Sequence, residues 1–299
     1  AILPQHLRDG EVLAGTGLVE AGTYIAILAG TILAGWIPVE AAAVGVVLTA
    51  LLGYLSGRQV PPAPPLVEAQ KIDHNVFTAS WRLIRNTMRH RQVFMAIVAI
   101  SFFWTVGTVL FIQFPPLAKN VLHASKEVAS LFLVMFSIGI AIGSVSINAL
   151  LKGTVSARYS PASVIVMGLF VVAFHLVCAA WPDMDGQPLM DVAMFIAQPL
   201  AIPLLLCLLG IAVAGGMFVV PLYAFLTTVV DKSETARTIA ANNIVNSGAM
   251  VAGALLAGAL SALAVQLVDQ LLLGAAMCLV SAWLGWLLYR AEKAALATV

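Results

Sequence analysis

Four polar side chains stand in otherwise apolar surroundings: Thr16, Glu20, Asn242 and Asn246. Each pair is spaced by four residues, so on a helix both members share one face. Glu20 is the only acidic residue in the interior of a long apolar run. A carboxylate there is costly to keep and points to function by default. It can bind a cationic or zwitterionic amine, or carry a coupling proton. The plainer alternative is a structural carboxylate, or one wetted from the nearby helix end. The amides of Asn242 and Asn246 can hydrogen-bond phosphate and glycerol hydroxyls without fixed charge. Their alternative is glue between helices, worth about 0.6 kcal/mol per contact in a membrane. Asn243, one step off that face, suits the glue role better.

Other polar or special residues are fewer. Trp104 and Gln113 lie in one run, and Gln113 is placed to contact a headgroup from the far side, whereas Trp104 also suits packing or a lipid-facing position. Pro115 and Pro116 are expected to end that helix, or to hinge a gate at its mouth. Lys119 just beyond them can attract phosphate or simply anchor at the interface. Arg237 opens the run that holds the asparagines and has the same two readings. His175 is a lone histidine, suited to packing or to proton coupling. Gly215 and Gly216 with Pro221 suggest a bend or close packing.

Covalent chemistry finds no support. No HExxH, GxSxG, phosphate loop or dinucleotide fingerprint occurs. Cys178, Cys207 and Cys278 are dispersed in separate apolar runs, which gives neither a disulfide framework nor a metal spacing. No enzyme activity, cofactor or metal is expected.

The elements that must position these residues follow from composition. Of 299 residues, 61% are hydrophobic and 10% charged, with mean hydropathy +1.00. Soluble domains are about 45–50% apolar and roughly 25% charged. The chain is therefore read as one polytopic membrane protein, not a soluble enzyme, a nucleic-acid-binding protein or a disordered segment. A membrane β-barrel would alternate apolar and polar residues and is disfavoured. Eight spans are predicted over 13–36, 39–56, 93–116, 128–151, 161–181, 200–226, 238–264 and 267–289. Each approaches the roughly 20 residues a helix needs to cross hydrocarbon. The run 192–230 is read as one span with an apolar approach, interrupted by Pro199, Pro203 and Pro221.

Charge sets the orientation. Of 15 basic residues, only Lys119 and Lys126 fall on one side of this eight-span layout. The other side, which includes Lys71, Arg158 and Arg290, is expected to be cytoplasmic, with both termini. Asp183, Asp185, Asp191 and Asp269 fall outside. Residues 57–92 form the one long polar stretch, opening on Pro61-Pro62-Ala63-Pro64-Pro65, a stiff linker. Phe77, Trp81, Ile84 and Met88 then recur at helical spacing among Arg82, Arg85, Arg89 and Arg91. Such a helix can lie at the inner headgroup interface, either as an anchored linker or as a lipid sensor. The chain begins without an initiator Met or a basic signal region, so it is expected to start inside a longer protein.

A shift of 226 residues aligns LAGTGLVEAGTYIA (13–26) with IAANNIVNSGAMVA (239–252). Ala14, Val19, Gly22 and Ala26 meet identical residues, and Thr16 and Glu20 meet Asn242 and Asn246. The two spans are six apart and run the same way, the relation between the halves of a major-facilitator transporter. In that register the chain carries spans five to twelve of twelve, without the first four. The expected domains are residues 1–56, the last two helices of an N-terminal bundle; 57–92, a linker; and 93–299, a C-terminal six-helix bundle.

Four segments carry a resemblance: LVEAGTYIAILAGT (18–31), FFWTVGTVLFIQFPPLAKNVL (102–122), LFLVMFSIGIAIGS (131–144) and RTIAANNIVNSGAMV (237–251). They resemble the major-facilitator lysophospholipid transporters, across nearly the whole chain. The resemblance implies an all-α membrane protein that flips lysophospholipids, such as lysophosphatidylethanolamine, to the inner leaflet of a bacterial inner membrane. It also implies an adjacent or fused acyltransferase. Thr16 departs from the asparagine usual in that family, and Asn148 and Ala149 stand where it usually has a charged pair. The site expected on this reading is Thr16, Glu20, Trp104, Gln113, Asn242 and Asn246, with Pro115, Pro116, Lys119 and Arg237 at the gates. Two rivals are a proton-coupled exporter of small amphipathic compounds and a non-transporting membrane module that recruits an acyltransferase.

Overall fold

The computed structural model describes residues 2–64, 66, 74–184 and 187–296. Lys71 and Asp185, which enter the charge asymmetry, and Pro65 of the proline run lie outside them. Eleven α-helices follow in order: α1 (Leu3–His6), α2 (Val12–Trp36), α3 (Val39–Gly57), α4 (Val76–Thr87), α5 (Arg91–Asn120), α6 (Lys126–Leu151), α7 (Ser160–Ala179), α8 (Val192–Ile196), α9 (Ala201–Thr228), α10 (Thr235–Ala262) and α11 (Leu267–Leu296). A 3-10 turn, Asp9–Glu11, leads into α2. Among the described residues no strand forms; a single bridge joins Ala124 to Met190.

Eight of these helices are long and apolar enough to cross a membrane. They coincide with the eight expected spans to within a few residues at most ends. In hydrocarbon the backbone must bond to itself, so apolar runs of this length form helices whatever their β-branched content. Ends follow local chemistry. The Asn75 side chain accepts from Phe77 and Thr78 N–H to start α4, and Asp191 accepts from Met194 N–H to start α8. Lys152 (φ 51°) and Gly153 (φ 79°) turn left-handed to stop α6. The short α8 and then α9 fill the run from 192, in keeping with one span and an apolar approach.

One expectation fails. Pro115 and Pro116 do not end their helix; α5 continues to Asn120. Two prolines delete only the N–H bonds to the Phe111 and Ile112 carbonyls. Leu117 and Ala118 beyond them are fully buried, and their packing holds the last turn in helix.

The long helices pack as a series of neighbours: α10 on α5, α5 on α11, α11 on α7, α7 on α9, and α9 on α6. The other side of α6 receives α2. The α6–α9 seam is the tightest. Gly139 and Gly143, four apart, meet the backbone of α9 at Leu209 and Val213, and Gly216 of α9 sits against the Ile140 carbonyl and Ser144 N. Small residues at this spacing let helix backbones touch, which gains dispersion energy that lipid cannot supply. Gly17 of α2 approaches the same place, where an added Cβ would stand 2.9 Å from the Ser144 carbonyl oxygen. Toward the Lys119 end an aromatic ladder fills the core. Phe114 meets Phe132, Phe132 meets Phe195, and Trp181 stacks on Phe195 at 5.4 Å. By contrast α3 packs extensively on no other helix among the described residues, and its large side chains face outward.

Candidate functional site

A polar cluster lies where α2, α5, α9 and α10 face one another. Its centre is the Tyr223 hydroxyl, which accepts from Trp104 Nε1 at 2.7 Å and from Asn246 Nδ2 at 3.5 Å. Because that oxygen accepts twice, its own proton is left to point elsewhere. Ser101 Oγ stands 2.7 Å from Asn246 Oδ1 and 2.8 Å from the Ile97 carbonyl, so one proton serves both. Asn242 Nδ2 donates to Asn243 Oδ1 at 3.4 Å. Asn242 is fully buried and its Oδ1 has no partner among the described residues. A buried acceptor left open is costly, which makes it a ready contact for a donor on a ligand.

Glu20 borders this cluster. It is half-buried, and its carboxylate acts electrostatically on the Tyr24 and Tyr223 hydroxyls. Among the described residues it has neither an ion-pair nor a hydrogen-bond partner. Tyr24, one turn along α2 from Glu20, is buried. Thr16, one turn the other way, is buried and donates to the Val12 carbonyl at 2.8 Å, so it shares Glu20's face with its proton already used. The arrangement offers a carboxylate, phenol and amide groups, and one buried acceptor open to a donor. It can hold a zwitterion non-covalently, and it has no nucleophile set beside a base.

The structure thus brings together Glu20, Trp104, Asn242 and Asn246. It does not bring Gln113 to them. Gln113 is nine residues beyond Trp104, about 14 Å along α5. Its Nε2 donates to Gln270 Oε1 at 2.8 Å, and Gln270 Nε2 donates onward to Ser261 Oγ and the Val265 carbonyl. That chain ties α5, α11 and α10 together away from the cluster, while Gln113 Oε1 has no partner among the described residues. Asn243 is exposed. His175 Nδ1 lies 2.9 Å from the Val268 carbonyl, a packing contact between α7 and α11.

The remaining expected positions lie at the helix ends. Lys119 is exposed at the end of α5, and Pro115 and Pro116 sit one turn inside it. Arg237 pairs with Glu234 at 3.3 Å at the start of α10. There it lines a cavity of about 890 Å³ between α4 and the ends of α5, α9 and α10, with Arg82, Asn86, Arg91 and Asp231. Sequence reasoning missed Tyr223, Tyr24 and Ser101. Tyr24 was within reach, because it extends the Thr16–Glu20 spacing by one more turn. Tyr223 has only Thr227 at helical spacing, and that hydroxyl bonds its own helix at the Ala224 carbonyl, so tertiary structure is what reveals it.

Known proteins bear on this geometry. A chain from Serratia proteamaculans named lysophospholipid transporter LplT is 30% identical over 259 residues, covering 82% of this chain and 58% of that protein. Proteins of the same name from Shigella boydii and Escherichia coli K12 are 26% identical over 265 residues, covering 84% of this chain and 59% of theirs. The chain therefore spans about three fifths of the length of the curated relatives it matches. No solved structure matches it. The sequence profile of the Major Facilitator Superfamily matches residues 1–204. With its eight apolar helices and its series of tightly packed neighbours, the chain belongs to the Major Facilitator Superfamily.

Proposed function

We propose that this chain is part of a lysophospholipid flippase of a bacterial inner membrane, working by alternating access. One observation carries the reading: Glu20 of α2, without a partner among the described residues, borders a buried polar cluster that joins α5, α9 and α10. A lysophospholipid has a zwitterionic headgroup and one acyl chain. Glu20 takes the headgroup amine, while Tyr223, Asn242 and Asn246 meet the phosphate and glycerol hydroxyls. The acyl chain stays against the apolar helix faces. The names of the relatives support this substrate class.

On the same reading, residues 1–56 end one six-helix bundle, 57–92 link it to the next, and 93–299 form the second. The arginine-rich end is cytoplasmic, together with the C-terminus. An adjacent or fused acyltransferase would re-acylate the product, and the resemblance is its support.

The test uses the full-length parent in proteoliposomes, following inward movement of labelled lysophosphatidylethanolamine. Diacyl lipid and a cationic dye are the comparators. Selective movement of the lysolipid is expected, and Glu20→Gln is expected to reduce preference for amine-bearing headgroups. Unchanged transport and selectivity in Glu20→Gln would remove Glu20 from the site. Proton-linked dye movement without lysolipid movement would assign the cluster to a proton-coupled exporter instead, for which a carboxylate beside two phenols is also suited.

A further inference from the structure

The predicted amphipathic stripe of α4 does not lie flat on the protein. Ile84 and Met88 are half-buried, and Met88 packs against the bundle core. One to two turns earlier, Phe77 is 88% and Trp81 68% exposed, with Val76 at 72%. Two large aromatic side chains therefore project from the arginine-rich end of the molecule, uncovered by any described residue. Arg85 stands one turn beyond Trp81, and Arg89 lies in the turn that follows the helix; both are exposed. Neither has an ion-pair partner among the described residues. No Asp or Glu occurs anywhere from residue 74 to residue 126.

We propose that α4 is a binding surface for anionic phospholipid, with Phe77 and Trp81 seated at the headgroup–acyl boundary and Arg85 and Arg89 on the lipid phosphates. Charge and shape both favour this occupant. An aromatic patch flanked by guanidiniums matches a surface that is apolar below and anionic above. Arg forks a phosphate with paired N–H donors and cannot lose its charge. Location agrees. The helix leads directly through Arg89, His90 and Arg91 into α5, which fixes it at the level where the spanning helices leave the hydrocarbon. α4 packs on α10 beside the 890 Å³ cavity, so the helix is supported along one side while its aromatic flank is left open. The proposal is independent of the substrate reading, and its readouts need no transport.

The test places a fluorescent NBD label on Phe77→Cys in the full-length protein. Cys178, Cys207 and Cys278 are buried and are replaced by Ala as a precaution. The protein is reconstituted in phosphatidylcholine vesicles with 0 to about 30% phosphatidylglycerol. Emission is expected to shift to the blue as phosphatidylglycerol rises. Quenching by doxyl-labelled lipid is expected, and quenching by aqueous iodide is not. In Arg85→Gln/Arg89→Gln the phosphatidylglycerol fraction giving half the shift should rise several-fold, since each surface arginine contributes about fivefold to association with an anionic leaflet. Trp81→Ser should reduce lipid quenching without altering helix content. Iodide quenching at every composition would overturn the proposal, because α4 would then face water. Shielding from both quenchers would overturn it in favour of a protein partner. Lipid quenching equal with and without phosphatidylglycerol would overturn the anionic selectivity.

Discussion

Tyr223 is the side chain on which the polar cluster turns, because three helices meet through its hydroxyl. Removing that oxygen leaves Trp104 Nε1 and Asn246 Nδ2 without their acceptor. Contacts of this kind in membranes average about 0.6 kcal/mol and reach about 1.7. On the proposed function, Tyr223→Phe is therefore expected to weaken lysolipid uptake by about threefold to about sixteenfold, at 1.4 kcal/mol per tenfold. Initial uptake rates in proteoliposomes measure this, with thermal unfolding in detergent as the control for folding. An uptake rate equal to the parent's would mean that Tyr223 only joins helices. Gln113 makes the contrast. Gln113→Leu breaks the bond to Gln270 and should lower thermal stability while leaving headgroup preference unchanged. A changed preference would bring Gln113 back to the site.

At the level of the helices, the glycines of α6 separate packing from propensity. An added Cβ at Gly143 would collide with the Val213 backbone, whereas one at Gly107 of α5 meets nothing within 4 Å. Gly143→Ala is expected to cost about 1–3 kcal/mol by overpacking. Gly107→Ala should be neutral or gain up to about 1 kcal/mol from helix propensity. Unfolding midpoints of the two variants decide it, and equal midpoints would mean the seam relaxes freely. The eight spans were legible because charges bracket apolar runs of membrane length, and Glu20 and the asparagines because polar groups are rare inside such runs. Three features were not legible. The helix beyond Pro115–Pro116 depends on the burial of Leu117 and Ala118. Tyr223 joins the cluster only because α9 packs beside α5 and α10. Gln113 finds its partner 157 positions away, a pairing no local spacing encodes.

For the whole molecule the testable quantity is direction in the membrane. The asymmetry of basic residues predicts that the Lys119–Lys126 end faces outward. In a variant with the three native cysteines replaced, Asn120→Cys should react with a membrane-impermeant maleimide in intact cells. Ser156→Cys, at the opposite end, should react only after permeabilisation. The reverse pattern would invert the orientation, and the expected pattern would place the open flank of α4 on the inner side.

The meeting of Gly17, Ser144 and Gly216 has a mechanical consequence. Backbones of α2 and α9 both come up to α6 at Ser144, so on the alternating-access reading a rocking of α2 would pivot there. From Gly17 to Trp36 the helix extends about 28 Å, and from Gly17 to Glu20 only about 4.5 Å. A tilt of about 10° around that spot swings the far end by about 5 Å yet moves the Glu20 backbone by less than about 1 Å. Leverage of this kind would let one end of the helix open widely while its carboxylate keeps station beside Tyr223.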